Sequence, residues 1–372
     1  MGGYKVGKVT LGFFLIFIGV VWIVQQLIGA SLLKYVMTYG WFIILIILVL
    51  EYANKYFNRV EEKKISFDGF SVSVLFIFML ISGGIFSVQK TGVVDVFFFL
   101  GPENSIEIEE EYEVDDLNLF LMEYVNGSIE VVGEDTSTVH IEGKVTSRHY
   151  DESGIAENFE KARKVEEGEG SFEYVVKESS SIFSSNRNHL TIEFVITVPK
   201  EALLEIEAVN GSLTASHIEN GVSLKTTNGD IEINDVVGHA TVRSTNGSLS
   251  LASIIGEIEA VTTNGKISVK NVDGKVLARG TNGAIDIESH QVGGDWEIKT
   301  TNGKISIDIP KEANVYIEGE TSNGSVDGNL EWERKYAGEL VLTRRQGSST
   351  LGDGTYSIIV NGTNGGIEVN TH

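Results

Sequence analysis

The sequence lacks cysteine altogether and contains little proline or histidine. Its 372 residues include no Cys, three Pro and seven His. Without cysteine there is no disulfide and no thiolate ligand, so a domain outside the cell must be stabilised by its core alone. No two histidines lie at a spacing typical of metal ligands, and we therefore expect no metal site and no cofactor. The histidines are His140, His149, His189, His217, His239, His290 and His372.

Catalytic motifs are missing as well. No Gly-x-x-x-x-Gly-Lys phosphate loop follows a predicted strand. Carboxylates are abundant, but no pair stands apart as the acid and base that a glycosidase needs. The string Gly293-Gly294-Asp295 is similar to a calcium-binding β-roll repeat, but it occurs once and without the nonapeptide period. We assign no catalytic residue and expect that the protein is not an enzyme.

Basic residues are scarce in most of the chain. There are 29 Lys and Arg against 52 Asp and Glu, a net charge of −23. Residues 1–90 hold eight basic and four acidic residues, whereas residues 91–372 hold 21 and 48, so the net charges are +4 and −27. A strongly acidic part repels the phosphates of nucleic acid, which argues against a nucleic-acid partner.

The basic N-terminal part contains three long apolar runs, Leu11–Ile28, Val36–Leu50 and Phe70–Val88. A helix needs about 20 apolar residues to cross a bilayer. The shortest run, Val36–Leu50, could also be a buried core helix. A cleaved signal peptide would be a single run. We therefore predict a transmembrane region over residues 1–90, with helices at about 9–28, 36–52 and 70–88.

The loop charges predict how these helices are oriented. Basic residues precede the first run and lie between the second and third, whereas only Lys34 lies between the first and second. Because basic loops stay on the cytoplasmic side, we expect a multi-pass membrane protein with a cytoplasmic N-terminus and an extracellular acidic domain. The residues on the predicted cytoplasmic side are Lys5, Lys8, Lys55, Arg59, Lys63 and Lys64.

The acidic part repeats Asn-Gly with a nearly fixed period. Successive copies are 18 residues apart four times and then 20, with a weaker copy at Asn323-Gly324. Such a period is typical of a solenoid, in which each coil buries its apolar face by stacking on the next. We predict a linker at 91–110 and an all-β parallel β-solenoid (β-helix) over 111–372. The repeated residues are Asn210, Asn228, Asn246, Asn264, Asn282 and Asn302.

Each copy of Asn-Gly is flanked by alternating apolar residues, such as Ile267 and Val269 after Asn264. Alternation places these residues on one face of a strand, and Asn-Gly supplies the positive φ of a sharp corner. Because Asn-Gly is also a hairpin sequence, an antiparallel meander is the alternative. We favour parallel coils, since stacked Asn side chains can then satisfy buried corner groups in a ladder. The apolar positions do not recur every six residues, which favours a right-handed coil.

The flanks of the repeat differ from the coils. An early unit lies at Asn126-Gly127. The charged segment at about 148–188, with Ile155, Phe159 and Val165 at roughly helical spacing, is predicted to be an insertion. The segment 352–369 is predicted to form the last coil. Divergent ends are expected in a solenoid because they prevent edge-to-edge association.

Two segments carry a resemblance to known families. The run from Ile196 to Gly211, its echo from Ile309 to Gly324 and the Thr-Asn-Gly units between them resemble the bacterial "putative adhesin" β-solenoid family, over about 110–370. The Gly-rich double run from Leu11 to Phe42 is similar to the membrane region of LiaI/LiaF-type envelope-stress proteins. These resemblances imply a membrane-anchored envelope protein without catalytic residues, one that modulates a stress-sensing system.

One column of the repeat carries charges opposite to those of the domain. The position 15 residues after each Asn, or 17 after Asn282 because of a two-residue insertion, is basic in four coils and Val261 in one. Thr follows two residues later in each coil. Lys and Arg could simply separate acidic neighbours, since Thr favours strands in any case. Alternatively, the column is a linear site for an anionic polymer or for a partner's acidic edge. This candidate ligand stripe comprises Lys225, Arg243, Arg279, Lys299, Thr227, Thr245, Thr263, Thr281 and Thr301.

Two classes of function are compatible with these features. The first is a non-enzymatic, membrane-anchored surface protein that is adhesin-like or linked to envelope stress. Its partners would be the membrane, an envelope polymer or a membrane sensor protein. The second is a carbohydrate-active β-helix enzyme of the cell wall. Release of fragments from wall polymers would distinguish the second from the first.

Overall fold

The computed structural model describes residues 4–28, 32–58, 65–91, 103–177, 190–335 and 345–372. They form two units, a helical one before Asn104 and a β-rich one over most of Ser105–His372. Arg59, Lys63, Lys64 and His189, and the segment 92–102 of the predicted linker, lie outside the described residues.

Helices occupy all three apolar runs of the N-terminal unit. They are α1 (Lys8–Ile28), α2 (Leu32–Phe57) and α3 (Gly69–Thr91). Within the described residues, the stretch Tyr35–Phe57 of α2 is long and apolar enough to cross a membrane. The described apolar stretches of α1 and α3 are shorter, at Lys8–Val24 and Gly69–Ser82.

The start of α1, the end of α2 and the start of α3 lie together. Strand β1 (Tyr4–Val6) pairs in parallel with β2 (Ile65–Phe67). The Glu51 carboxylate, near the end of α2, accepts hydrogen bonds from the backbone N–H of Gly7 and of Thr10 at 3.1 and 3.0 Å. It caps the first turn of α1, whose N–H groups have no partner within the helix. The three helices therefore run alternately up, down and up.

The described residues of the β-rich unit form one helix, α4 (Glu152–Ala162), and 23 strands. The N-terminal strands are β3 (Asn104–Glu113), β4 (Leu119–Glu134), β5 (Thr138–Ser147), β6 (Arg163–Gly168), β7 (Ser171–Val176), β8 (Thr191–Pro199) and β9 (Leu203–Ile218). The central strands are β10 (Val222–Asn228), β11 (Ile231–Val237), β12 (Ala240–Asn246), β13 (Leu249–Ile255), β14 (Ile258–Asn264), β15 (Ile267–Asp273), β16 (Val276–Asn282), β17 (Ile285–Glu288), β18 (Trp296–Asn302) and β19 (Ile305–Ile309). The C-terminal strands are β20 (Val315–Asn323), β21 (Val326–Asp327), β22 (Glu333–Lys335), β23 (Arg345–Leu351), β24 (Tyr356–Asn364) and β25 (Ile367–Thr371).

Central strands pair with the next strand but one, always in parallel. The strands β10, β12, β14, β16 and β18 form one sheet, and β11, β13, β15, β17 and β19 form the other. The inward side chains of both sheets, such as Val242 and Leu251, are fully buried. The predicted parallel β-solenoid is confirmed, and the antiparallel meander is excluded for these coils. The right-handed coil stays a prediction.

The coils at both ends are not stacked in chain order. At the N-terminal end, β4 pairs directly with β9 although 68 residues separate them, counted from Glu134 to Leu203. At the other end, β24 and β25 insert between the coil of β18 and β19 and the coil of β20 and β21. The segment 352–369 therefore contributes the penultimate coil rather than the last. It fits there because its Asn364 continues the register between Asn302 and Asn323.

Antiparallel strands and apolar side chains close both ends. Strand β5 pairs antiparallel with β8, and α4 buries Ile155 and Phe159, with the Phe159 ring 6.2 Å from that of Phe194. The expected insertion is thus only partly outside the sheet, because β7 pairs in parallel with β4. At the C-terminal end, β23 pairs antiparallel with β20. Such closures remove the edges on which further strands could add.

Each central coil has two different corners. We call the turn at Asn-Gly the Asn corner and the turn near Gly238, Gly256 and Gly274 the Gly corner. The expectation of positive φ at Asn-Gly is wrong for the central coils, because positive φ occurs only at the Gly corner and just before it. Glycine is needed at the Asn corner for another reason. A Cβ on Gly247 would lie 1.8 Å from the carbonyl oxygen of Gly229 in the preceding coil.

Candidate functional site

The Asn corner carries a continuous ladder of side-chain amides. The Nδ2 of each Asn donates to the Oδ1 of the Asn in the neighbouring coil, at distances of 2.7 to 2.9 Å. The ladder is longer than the six repeats read from the sequence, because Asn126 joins at one end and Asn364 and Asn323 at the other. In spatial order its members are Asn126, Asn210, Asn228, Asn246, Asn264, Asn282, Asn302, Asn364 and Asn323.

The expectation that these Asn side chains satisfy buried corner groups is wrong, because the Asn column lies at the surface. All are exposed except Asn126, which is half-buried. In five coils a corner carbonyl is satisfied by a second column, a buried Ser or Thr two residues before the Asn. Thr226, Ser244 and Thr262, for example, donate to the carbonyl oxygens of Gly211, Gly229 and Gly247 at 2.9 to 3.0 Å. This column was not predicted from the sequence, although the repeated Ser or Thr in front of the exposed Thr was a usable signal.

The predicted ligand stripe is exposed along its whole length, as the side chains of Lys225, Arg243, Arg279 and Lys299 all point outward. Three of the four cations have a carboxylate partner. Lys225 pairs with Glu207 at 3.0 Å, Arg243 with Glu259 at 2.7 Å and Arg279 with Glu297 at 2.9 Å. Lys299 has no ion pair with another described residue. On the outer face of this sheet, three of the four cations are therefore paired with carboxylates rather than free.

The five Thr of the stripe form a second exposed row between the cations and the Asn ladder. The strand register aligns them from coil to coil, because Asn228, Asn246, Asn264, Asn282 and Asn302 are paired in series. Parallel strands lie about 4.8 Å apart. The exposed cation, Thr and Asn columns therefore repeat together at the spacing of the coils, and we call them the three columns.

Polar groups outside the columns are used in structural contacts. In the N-terminal closure, Glu110 pairs with Arg163 and accepts hydrogen bonds from Tyr112 and Tyr174 at 2.9 and 3.0 Å. Burial raises the pKa of the Tyr174 hydroxyl, so it stays protonated and donates. The Glu110 cluster therefore ties β3 to the segment after α4.

The described residues hold no group of three or more His, Asp or Glu that could ligate a metal ion. Two histidines of the repeat lie beside single carboxylates instead. His217 lies 3.5 Å from Asp235, and His239 lies 3.6 Å from Glu257.

A cleft of about 630 Å³ lies at the C-terminal closure, lined in part by Tyr316, Trp332 and Ser349. The Trp332 ring lies over Gly347, where a Cβ would come within 3.0 Å of it. Glu331 and Glu333, both exposed, stand at this cleft. It shares no residue with the three columns.

Comparisons with known proteins identify a family. The family model described as Toastrack DUF4097 matches residues 124–370, about two thirds of the chain. No curated protein matches it.

Several solved structures are similar to the chain. A "putative adhesin" from Bacteroides fragilis is 13% identical, with a TM-score of 0.36, over 71% of this chain and 97% of its own. A "putative cell adhesion protein" from Clostridium sporogenes is 16% identical, with a TM-score of 0.23, over 73% and 100%. A "putative lipid binding protein" from Parabacteroides distasonis is 15% identical, with a TM-score of 0.26, over 72% and 97%. These values are too low to transfer a ligand to this chain.

Proposed function

The chain belongs to the Toastrack DUF4097 family, and we propose that it is a membrane-anchored, non-enzymatic binding protein of the cell envelope. In this proposal the helical unit spans the membrane and the solenoid is extracellular. The solenoid binds an anionic envelope polymer along its exposed stripe.

The surface of the helical unit supports the membrane anchor. Most large apolar side chains that the described residues expose belong to α1, α2 and α3; in the β-rich unit only Val195, Val209, Val237 and Ile255 are so exposed. Apolar side chains on the outside of a helical unit are favourable in lipid and unfavourable in water. The up, down and up order of the helices supports a third span that ends on the side opposite the N-terminus.

Orientation is proposed from charge. Lys5, Lys8 and Lys55 lie at the end of the unit where α1 begins and α2 ends. Basic residues stay in the cytoplasm, so this end is proposed to be cytoplasmic. Protease added to intact protoplasts should then remove the acidic domain. Survival of the domain until the membrane is opened would mean that the orientation is inverted.

The observation that carries the binding role is the constant spacing of the exposed cation and Thr columns over five coils. Many weak contacts at one spacing add up for a polymer with regularly spaced groups. The Glu partners do not remove the cations from use. An exposed ion pair contributes only about 0–1 kcal/mol, so a phosphate or carboxylate of the ligand can replace Glu207, Glu259 or Glu297 at small cost.

Two variants with opposite expected effects test this role. The full chain in detergent is titrated with polyglycerol phosphate, an anionic polymer. Changing Lys225, Arg243, Arg279 and Lys299 together to Gln should abolish binding. Changing Glu207, Glu259 and Glu297 together to Gln should strengthen it, because the cations are then free. Binding of the original chain should weaken as salt rises, since exposed charges are screened beyond about 8–10 Å.

Binding that is equal in all three chains would remove the stripe as the site. Release of polymer fragments, measured in the same mixtures, would instead support a wall-degrading enzyme, for which Glu331 and Glu333 would be the first residues to replace.

A second partner is proposed on the resemblance of the double run Leu11–Phe42 to LiaI/LiaF-type membrane regions. Such a partner would be a membrane sensor protein that contacts the helical unit. Co-purification of the full chain with membrane proteins tests it, with residues 105–372 alone as the control that should lose the partner.

A further inference from the structure

The Asn corners pose a chemical problem. Asn-Gly is the dipeptide most prone to deamidation, because glycine has no side chain to hinder the attack of its own backbone nitrogen. In that reaction the Gly nitrogen bonds to the Asn Cγ, the Cγ–Nδ2 bond breaks and ammonia leaves. Water then opens the cyclic imide to aspartate or isoaspartate. An exposed domain with many Asn-Gly pairs should lose amides steadily unless the fold prevents the attack.

The interior of the ladder blocks both reacting groups. Asn246 donates to Asn228 and accepts from Asn264, each at 2.7 Å, so its amide is held along the solenoid axis. The attacking group is held as well, because the N–H of Gly247 donates to the carbonyl oxygen of Asn264 at 3.0 Å. Gly229, Gly265, Gly283 and Gly303 make the equivalent bond to the next coil.

The C-terminal end of the ladder is different. Asn323 belongs to the last coil, so its amide donates to Asn364 at 2.8 Å but receives no bond from another Asn. Among the described residues, no further coil lies beyond this one and the N–H of Gly324 has no backbone acceptor. Residue 126, at the opposite end, accepts from Asn210 and donates to the carbonyl oxygen of Leu190. Of the two ends of the ladder, the Asn323 end is therefore the one that lacks these bonds among the described residues.

Two Asn-Gly pairs lie outside the ladder. Asn361-Gly362 is half-buried within β24, which pairs with β18 on one side and β20 on the other. The other pair is Asn220-Gly221. Asn220 is exposed and follows β9 at the other side of the coil. In the described part of the chain, its amide makes no ladder bond and the N–H of Gly221 has no backbone acceptor. The same dipeptide therefore occurs in three settings. Asn246-Gly247 has both the ladder bonds and the hydrogen bond of the Gly N–H, Asn323-Gly324 has one ladder bond, and Asn220-Gly221 has neither.

We propose that the Asn ladder protects its interior residues from deamidation and that Asn323 and Asn220 are the modification sites of the folded domain. Conversion at Asn323 places a carboxylate at the end of the ladder, where no donor remains for Asn364. Each event adds one negative charge. The proposal is independent of the ligand stripe.

The test is mass spectrometry of peptides from the full chain after incubation in detergent at mildly alkaline pH. Asn323 and Asn220 should convert at least about tenfold faster than Asn246. Each tenfold in rate is 1.36 kcal/mol in the barrier, which is about the net contribution of one hydrogen bond. In chain unfolded by denaturant, all three should convert at similar rates.

A variant sharpens the comparison. Asn246→Ala removes the acceptor of Asn264 and the donor to Asn228, so conversion at both should rise severalfold while Asn302 is unchanged. Thr245→Ala, on the same coil but outside the ladder, should change neither. Conversion of Asn246 as fast as Asn323 in the folded original chain would overturn the proposal, and so would unchanged rates at Asn228 and Asn264 in a folded Asn246→Ala chain.

Discussion

The two corners of each coil solve the same turn in different ways. At the Asn corner, a stacked amide, a buried hydroxyl and a close carbonyl contact fix both residues as Asn-Gly. Just before the Gly corner, the chain bends through a left-handed residue whose identity varies, with φ of 53 to 60° at His217, Asp235, Ser253 and Asn271. Contacts between coils constrain the sequence strictly, whereas a backbone conformation alone allows several polar side chains.

The largest effect should come from adding one methyl group at the Asn corner. In Gly247→Ala the new Cβ meets the Gly229 carbonyl oxygen at 1.8 Å, and a backbone carbonyl in a sheet cannot move aside. We expect the free energy of unfolding to fall by at least about 3 kcal/mol, the upper range for overpacking. Denaturant midpoints measure it, with Ser248→Ala beside it as the control. A loss under about 1 kcal/mol would mean that the coils stack less closely.

The second-largest loss of stability should come from the column of buried hydroxyls. In Thr262→Val the Gly247 carbonyl loses its 2.9 Å donor, and an unsatisfied buried group costs about 1–3 kcal/mol. The neighbouring Thr263 is exposed, so Thr263→Val should stay within about 0.5 kcal/mol. Similar unfolding free energies for the two variants would show that the buried hydroxyl is not needed.

The exposed ladder should contribute less than the buried column. Asn264→Ala breaks the bonds to Asn246 and from Asn282. Because water can replace exposed partners, we expect a loss of about 1 kcal/mol, near the average for one net hydrogen bond. Lys266→Ala removes only an exposed ion pair with Asp286 and should cost about 0–1 kcal/mol. The prediction fails if Lys266→Ala is clearly the more destabilising.

The left-handed position should tolerate glycine better than an ordinary strand position does. Ser253→Gly relieves the strain of φ 56°, and this offsets the entropy that glycine loses on folding, so the net change should be near zero. Ser250→Gly in the same strand has no strain to relieve and should lose about 0.5–1 kcal/mol. Thermal unfolding of both variants measures the difference. Equal losses would mean that the left-handed residues are not strained.

The smallest effect should be confined to acid. Asp295, at the Gly corner, accepts hydrogen bonds from the backbone N–H and hydroxyl of Ser357 at 2.7 and 2.9 Å, and these bonds lower its pKa. The contribution of Asp295 to the free energy of unfolding is therefore complete above the ordinary pKa of Asp. It is lost as the pH falls through the lowered pKa of Asp295. Asp295→Asn should remove this part of the pH dependence of unfolding. An unchanged profile would assign the acid sensitivity to other carboxylates.

Some features of the candidate site could be predicted because they depend on period alone. An interval of 18 residues aligns every eighteenth side chain in stacked coils, so the Asn, Thr and cation columns of Asn246, Thr245 and Arg243 followed from counting. The environments of these side chains could not be predicted by counting. Whether Asn246 is buried, and whether Glu259 comes within reach of Arg243, depends on side-chain positions that the period does not specify.

The repeating part of this protein follows from its sequence. Alternation gave each strand one inward face, and recurrence of the same corner required parallel stacking, since only stacked coils bury those faces. The tertiary structure alone decided which coils are neighbours at the ends. Residues 119–134 meet Leu203–Ile218, and 356–371 enter between two earlier segments, because a strand pairs with whichever edge matches its register and not with the nearest in the chain. The tertiary structure also decided why glycine is needed at Gly247, because a clash between coils has no trace in the local sequence.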